Sequence, residues 1–220
     1  MGTLRKKDQT QLKYIFVAGA PGSKWSSVVK NIYYSPSIDQ SDYRDEWTYY
    51  HDASGQRELM HLGAYWDPGM ACDLPADIST LTKQQLEGKF NEPFNKNSTG
   101  IRIVKSHIFS YEKNIRYLRE QFLDCAIVLV HRSDDACLGW WVKCGHFDIT
   151  YPSYTEYYQN LKNMAGIIKQ QNAGIRWAWT HYTGSDPQTN RLLATDLGIE
   201  TPPLEYIQDY NMSDIKVKVI

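Results

Sequence analysis

Three short segments of this chain end in residues that bind or move charge. In IFVAGAPGSKWSSVV (15–29) an apolar run stops at a Pro-Gly turn and then delivers Lys24, Trp25, Ser26 and Ser27. IVKSHIF (103–109) closes a second apolar run with Lys105, Ser106 and His107. VLVHRSDDACLGWW (128–141) closes a third with Arg132. Two lysines, an arginine, a histidine and several hydroxyls suit an oxyanion better than a metal, since the cations would repel Mg²⁺. The residues from Gly19 to Ser27 join a strand to a helix, where free amides and the helix dipole favour an anion, most often phosphate. A lysine at a helix start opposes that dipole, so a bound anion accounts for Lys24 better than a solvated cation does. Gly22, Ser23, Lys24, Trp25, Ser26 and Ser27 therefore read as a phosphate cradle. It is not a Walker A loop, because Ser23 precedes the lysine and Trp25 separates it from the first hydroxyl.

Each group also has a plainer reading. Arg132 could pair with Asp134 or Asp135, and His107 could be a hydrogen-bonded structural histidine. His131 faces the other side of the sheet from Arg132, because side chains alternate along a strand. By the same alternation Lys105 and His107 project to one face. His51, His61 and Asp67 match no tetrahedral metal signature, and no metal is expected.

The elements that must position these groups are legible as runs. Residues 14–20, 101–105 and 125–132 are short, largely apolar runs suited to parallel strands covered on both faces. Helix-like segments follow at 24–34, 111–122 and 133–145, the last with Ser133 or Asp134 as N-cap. A weaker fourth strand is expected over 174–182, followed by a helix at 187–197 that stops at Gly198. Alternation of strand and helix predicts an α/β fold, a three-layer sandwich with a central, mostly parallel sheet and a P-loop-like phosphate-binding loop. Residues 35–100 show no clear period and read as a lid or acceptor-binding segment, with Tyr65 and Trp66 available to stack on a substrate. One domain spans 1–220.

Bulk properties narrow the field. A net charge of −1 over 220 residues argues against nucleic-acid binding through bulk charge. The four cysteines form no CxxC pair, and no apolar window is long enough to span a membrane. The expectation is a reduced cytoplasmic protein. Sixteen tyrosines and seven tryptophans must fill a core or line a pocket.

Taken in order, the three segments resemble the sulfotransferases that use 3′-phosphoadenosine 5′-phosphosulfate (PAPS). PGSKWSS looks like a rearranged form of that family's P-K-S-G-T-T-W loop, and KSHI is similar to its K-T-H-L segment, whose histidine is the base. HRSDDACLGWW keeps the arginine of its 3′-phosphate segment, and the stretch from Thr180 to Pro202 is similar to its late Y-E-D-L…F-L-G-I region. The resemblance covers roughly residues 12–30 and 100–200. Three departures accompany it: the lysine of the first loop is displaced by two positions, Trp140 stands where the family has a serine eight residues after the arginine, and no glycine-rich R-K-G loop precedes the final NMSDIKVKVI. The resemblance implies sulfuryl transfer from PAPS to a hydroxyl or amine of a small molecule or glycan. His107 would be the base, Lys105 would lie near the sulfuryl oxygens, and Lys24 with its loop would sit at the leaving 5′-phosphate. Arg132 would sit at the 3′-phosphate. Two other readings stay open: a nucleotide kinase or NTPase with a degenerate loop, and a binding module of the same fold without turnover.

Overall fold

The computed structural model describes residues 12–44, 49–51, 57–59, 64–65, 74–95, 100–144, 154–175, 180–182, 186–206 and 214–220. Its centre is β1 (Tyr14–Gly19), in which every residue is buried. A strand apolar on both faces needs cover on both faces, and an inner position between parallel neighbours meets that need. Those neighbours are β5 (Arg102–Lys105) and β6 (Cys125–His131). Beyond β5 lies the short β4 (Ala64–Tyr65), also parallel, with Tyr65 in register with Lys105.

On the other side the sheet turns mixed. Strand β8 (Ile215–Val219) runs antiparallel to β6, and β7 (Thr180–Tyr182) antiparallel to β8, so the order is β4-β5-β1-β6-β8-β7. The expected mostly parallel sheet therefore holds for four strands and fails at this edge. The reason is IKVKV, whose alternating apolar and charged residues suit an antiparallel strand with one face better covered than the other. A separate antiparallel pair joins β2 (Tyr49–His51) to β3 (Arg57–Leu59).

The helices that follow the strands lie close to their expected positions: α1 (Trp25–Tyr33), α3 (Glu112–Gln121), α4 (Asp134–Cys144) and α6 (Pro187–Leu197). Ser133 caps α4 by accepting from the Ala136 amide, and Gly198 ends α6 in the left-handed region. The expected strand at 174–182 is corrected. Helix α5 (Tyr154–Gly174) runs up to its first residue, and among the described residues of that span Thr180–Tyr182 is strand. The segment read as irregular also contains α2 (Lys83–Asn91), closed by a Thr82–Gln85 capping box. Leu74, Ile78, Leu86, Phe90 and Phe94 from this region are buried, so part of it builds the core and does not serve as a lid.

Aromatics fill that core. Tyr14, Phe16, Phe90, Phe109 and Phe122 interlock with centroids 5.2–6.1 Å apart, mostly edge to face. The Tyr14 hydroxyl, which would otherwise be stranded, donates to Asn91 Oδ1 at 2.8 Å.

His131, at the end of β6, is half-buried, and its Nδ1 has no hydrogen-bond partner among the described residues. Burial, reinforced by Lys216 across the ladder, pushes its pKa below 6.5, with Asp134 opposing. A base held neutral in the fold stabilises it above the unfolded value, and that contribution is lost as pH falls through 6.5 toward the lowered one. The melting temperature of His131→Gln is therefore expected to fall less between pH 7.5 and 5.5 than that of the native chain. Parallel slopes in thermal melts would remove His131 from the acid response.

Candidate functional site

The parallel order β5-β1-β6 brings three strand ends together, and with them all three charged segments. The loop after β1 is shaped by two left-handed residues, Gly22 at φ 79° and Lys24 at φ 60°. Alternating handedness of this kind turns successive amides toward one side and forms an anion-binding concavity. Only glycine fits at 22: a Cβ there would lie 2.0 Å from the Cys137 carbonyl of α4. Lys24 tolerates its conformation at a cost of roughly 1–2 kcal/mol, which the surrounding packing must overcome. It is also the N-cap of α1 and offers no side-chain cap.

The loop folds back on its own strand. Ser23 is fully buried, its amide donates to Ala20 O at 3.0 Å, and its Oγ lies 2.7 Å from where a Cβ on Gly19 would stand. That hydroxyl has no hydrogen-bond partner among the described residues. Lys24 is half-buried, with Nζ 4.6 Å from the Trp140 ring centroid. Ser26 is half-buried and Ser27 buried in the first turn of α1, where the Ser27 amide closes onto Lys24 O.

At the end of β5, Ser106 is still extended and its Oγ caps the 3-10 turn His107–Ser110. Extended Ser106 keeps Lys105 and His107 on one side, as alternation requires, and both meet the same indole. The His107 ring stacks on Trp25 at 4.0 Å and 14°, and Lys105 Nζ lies 5.7 Å from the Trp25 centroid. Trp25 is thus a wall over the pair, leaving Lys105 fully buried and His107 9% exposed. His107 Nδ1 lies 2.5 Å from the Gly19 carbonyl. A carbonyl only accepts, so Nδ1 carries the proton and Nε2 is the basic nitrogen of the neutral ring.

Arg132 is tied to four segments. Its Nε pairs with Asp214 at 2.5 Å, and its Nη1 donates to Gly22 O and Ala136 O, both at 3.1 Å. The ion-pair partner is neither Asp134 nor Asp135 but the residue just before β8. From α5, Asn172 donates to Arg132 O at 2.9 Å and to Asp134 Oδ1. Asp214 and Asn172 escaped sequence reasoning because each lies far along the chain from its partner and neither sits in a motif. Tyr65 is placed next to Lys105 by strand pairing, and Trp66 lies outside the described residues. Burial pushes the Cys137 thiol beside the loop up to about 12, so it is not a thiolate nucleophile. Among the described residues no helix is long and apolar enough to cross a membrane.

These elements define an α/β protein with cations and a histidine gathered at the carboxyl edge of its parallel strands, the edge where open sheets bind ligands. No protein-family model, curated protein or solved structure matches the chain.

Proposed function

We propose that the chain transfers a sulfuryl group from PAPS to a hydroxyl or amine acceptor, with His107 as general base. The observation that carries this reading is the Nδ1–Gly19 hydrogen bond, which puts a proton on Nδ1 and makes Nε2 the basic nitrogen of the ring that shares the Trp25 indole with buried Lys105. Two features support the loop as the 5′-phosphosulfate end: two left-handed residues shape it, and Ser23 Oγ has no hydrogen-bond partner among the described residues. Lys24, Ser26 and Ser27 would hold the leaving phosphate, and Lys105 would neutralise charge on the sulfuryl oxygens. The donor supplies the sulfuryl group and the leaving phosphate. His107 would take the acceptor's proton at Nε2 while Gly19 O keeps the ring in register.

At the 3′-phosphate end the fit is conditional, because Asp214 already pairs with Arg132. A 3′-phosphate must compete with that carboxylate. Arg132→Ala would also release the Gly22 and Ala136 carbonyls, so Asp214→Asn is the cleaner probe. It should raise the preference for adenosine 3′,5′-bisphosphate over AMP. A charge-assisted hydrogen bond contributes about 1.5–3 kcal/mol, or about one to two orders of magnitude in affinity. Calorimetry with both nucleotides, and with ATP plus Mg²⁺, decides between this donor and a nucleoside triphosphate. An unchanged ratio in Asp214→Asn would remove Arg132 from the site.

One observation favours a second reading, a binding module without turnover: Trp25 covers both His107 and Lys105. Nucleotide binding without sulfate transfer across a broad panel of acceptors would select it.

A further inference from the structure

Trp140 stands where the family that this chain resembles has a serine, yet from α4 it meets the loop's Lys24. Gly22 rests against the Cys137 carbonyl of α4, and Trp140 lies about one turn further along the same helix. Across that turn the Lys24 ammonium sits over the indole, 4.6 Å from its centroid. Lys24 is the left-handed residue that opens α1, so its backbone direction is fixed and its side chain leaves the loop toward α4. The next residue, Trp25, leaves toward His107 instead. One strained residue thus sends a cation to one flank of the loop and an indole to the other.

A lysine on a four-carbon stem loses much rotamer freedom when it must hold one position for a ligand. An aromatic face that attracts the ammonium reduces that cost before the ligand arrives. We propose that Trp140 is a positioning residue for Lys24. Its ring holds the ammonium beside the loop amides so that a tetrahedral oxyanion meets a preorganised cation. This rests on the phosphate-cradle reading above and adds to it the residue that orients the cation. Trp140 acts through Lys24 and not through contact with the anion, and that distinction is measurable.

Two measurements test it. In the first, surface lysines are reductively methylated with ¹³C, and the Lys24 resonance is identified by its loss in Lys24→Arg. Trp140→Leu should move that resonance downfield as the ring current is removed, and Trp140→Phe should leave most of the shift. An unmoved resonance overturns the pairing. In the second, inorganic pyrophosphate and adenosine 3′,5′-bisphosphate are titrated into the native protein, Trp140→Leu, Trp140→Phe, Lys24→Ala and the Lys24→Ala/Trp140→Leu double variant. Trp140→Leu should weaken both probes by about 2- to 30-fold, the range spanned by cation–π contacts from exposed to desolvated. Trp140→Phe should keep most of the affinity, and Trp140→Leu should add nothing in the Lys24→Ala background. An equal loss in that background means that Trp140 touches the ligand itself, and tighter binding means that it sequesters Lys24; either overturns the proposal. Probes that bind with affinity indifferent to residue 140 overturn this assignment alone. No binding of either probe to the native protein overturns the cradle reading along with it.

Discussion

Replacing Asp42 by alanine is expected to lower the free energy of unfolding by about 3–5 kcal/mol, one of the two largest single-residue effects in this chain. Asp42 and Arg102 form an ion pair with side chains 2% and 9% exposed, Nε to Oδ2 at 2.9 Å and Nη2 to Oδ1 at 3.4 Å. Arg102 also donates to Asn91 Oδ1 and Asn95 O, so its charge cannot leave without breaking those bonds. Removing the carboxylate strands a buried guanidinium, which is the costly event. Removing both charges together is a different matter, and an Asp42→Leu/Arg102→Met double variant should recover most of the loss. Urea unfolding checks both, as a fall in midpoint at constant slope. A shift below about 1 kcal/mol in Asp42→Ala would mean that water reaches the pair and it behaves as a surface salt bridge. Because Arg102 begins the strand that ends in Lys105, the pair fixes the far end of the strand that leads into the turn carrying the candidate base.

The parallel centre of the fold was legible because its signal is local. β1 and β6 carry long apolar runs suited to burial on both faces, and β5 a shorter one, Ile103-Val104, between buried Arg102 and Lys105. What was missed had a weaker or a competing signal. GIRWAWTHY alternates aromatic and polar residues as a strand does, yet its first residue belongs to α5, which is long, polar on much of its surface and without a sustained apolar stripe. Two misses were avoidable. Thr82-Lys-Gln-Gln85 is a capping-box spelling, and Ile215-Lys-Val-Lys-Val219 alternates with period two.

The candidate site divides along the same line. That Lys24, Lys105, His107 and Arg132 reach one edge followed from strand ends and chain order, which are local facts plus the rule for open sheets. Their immediate partners did not follow. Trp25 over His107, Trp140 under Lys24, Asp214 on Arg132 and Asn172 on the β6–α4 corner are tertiary contacts between residues with no shared motif. Those partners change the chemistry expected of each group. Arg132 now ties segments together as well as carrying charge, and His107 has a fixed tautomer.

The fixed tautomer makes the base assignment testable with the bond to Gly19 O kept in place. His107→Ala would remove the stack on Trp25 and the bond to Gly19 O together, so a loss of activity would not separate chemistry from structure. Asparagine is the better probe: its Nδ2 can take the place of the imidazole Nδ1–H and donate to Gly19 O, and it has no basic nitrogen to replace Nε2. His107→Asn is expected to keep nucleotide affinity within about threefold and to lose roughly 10²–10⁴-fold in sulfate transfer, the usual yield of general base catalysis. The pH–rate profile adds a second readout, since the limb that reports deprotonation of the imidazole should vanish in the variant while any limb from the acceptor stays. The paired measurement is calorimetric affinity for adenosine 3′,5′-bisphosphate and transfer rate, on the same folded protein. If His107→Asn transfers sulfate at the native rate, the histidine is a structural prop for Trp25 and the proton must leave by way of Lys105 or Lys24. If affinity and rate fall together, the stack and not the basic nitrogen is what the site requires.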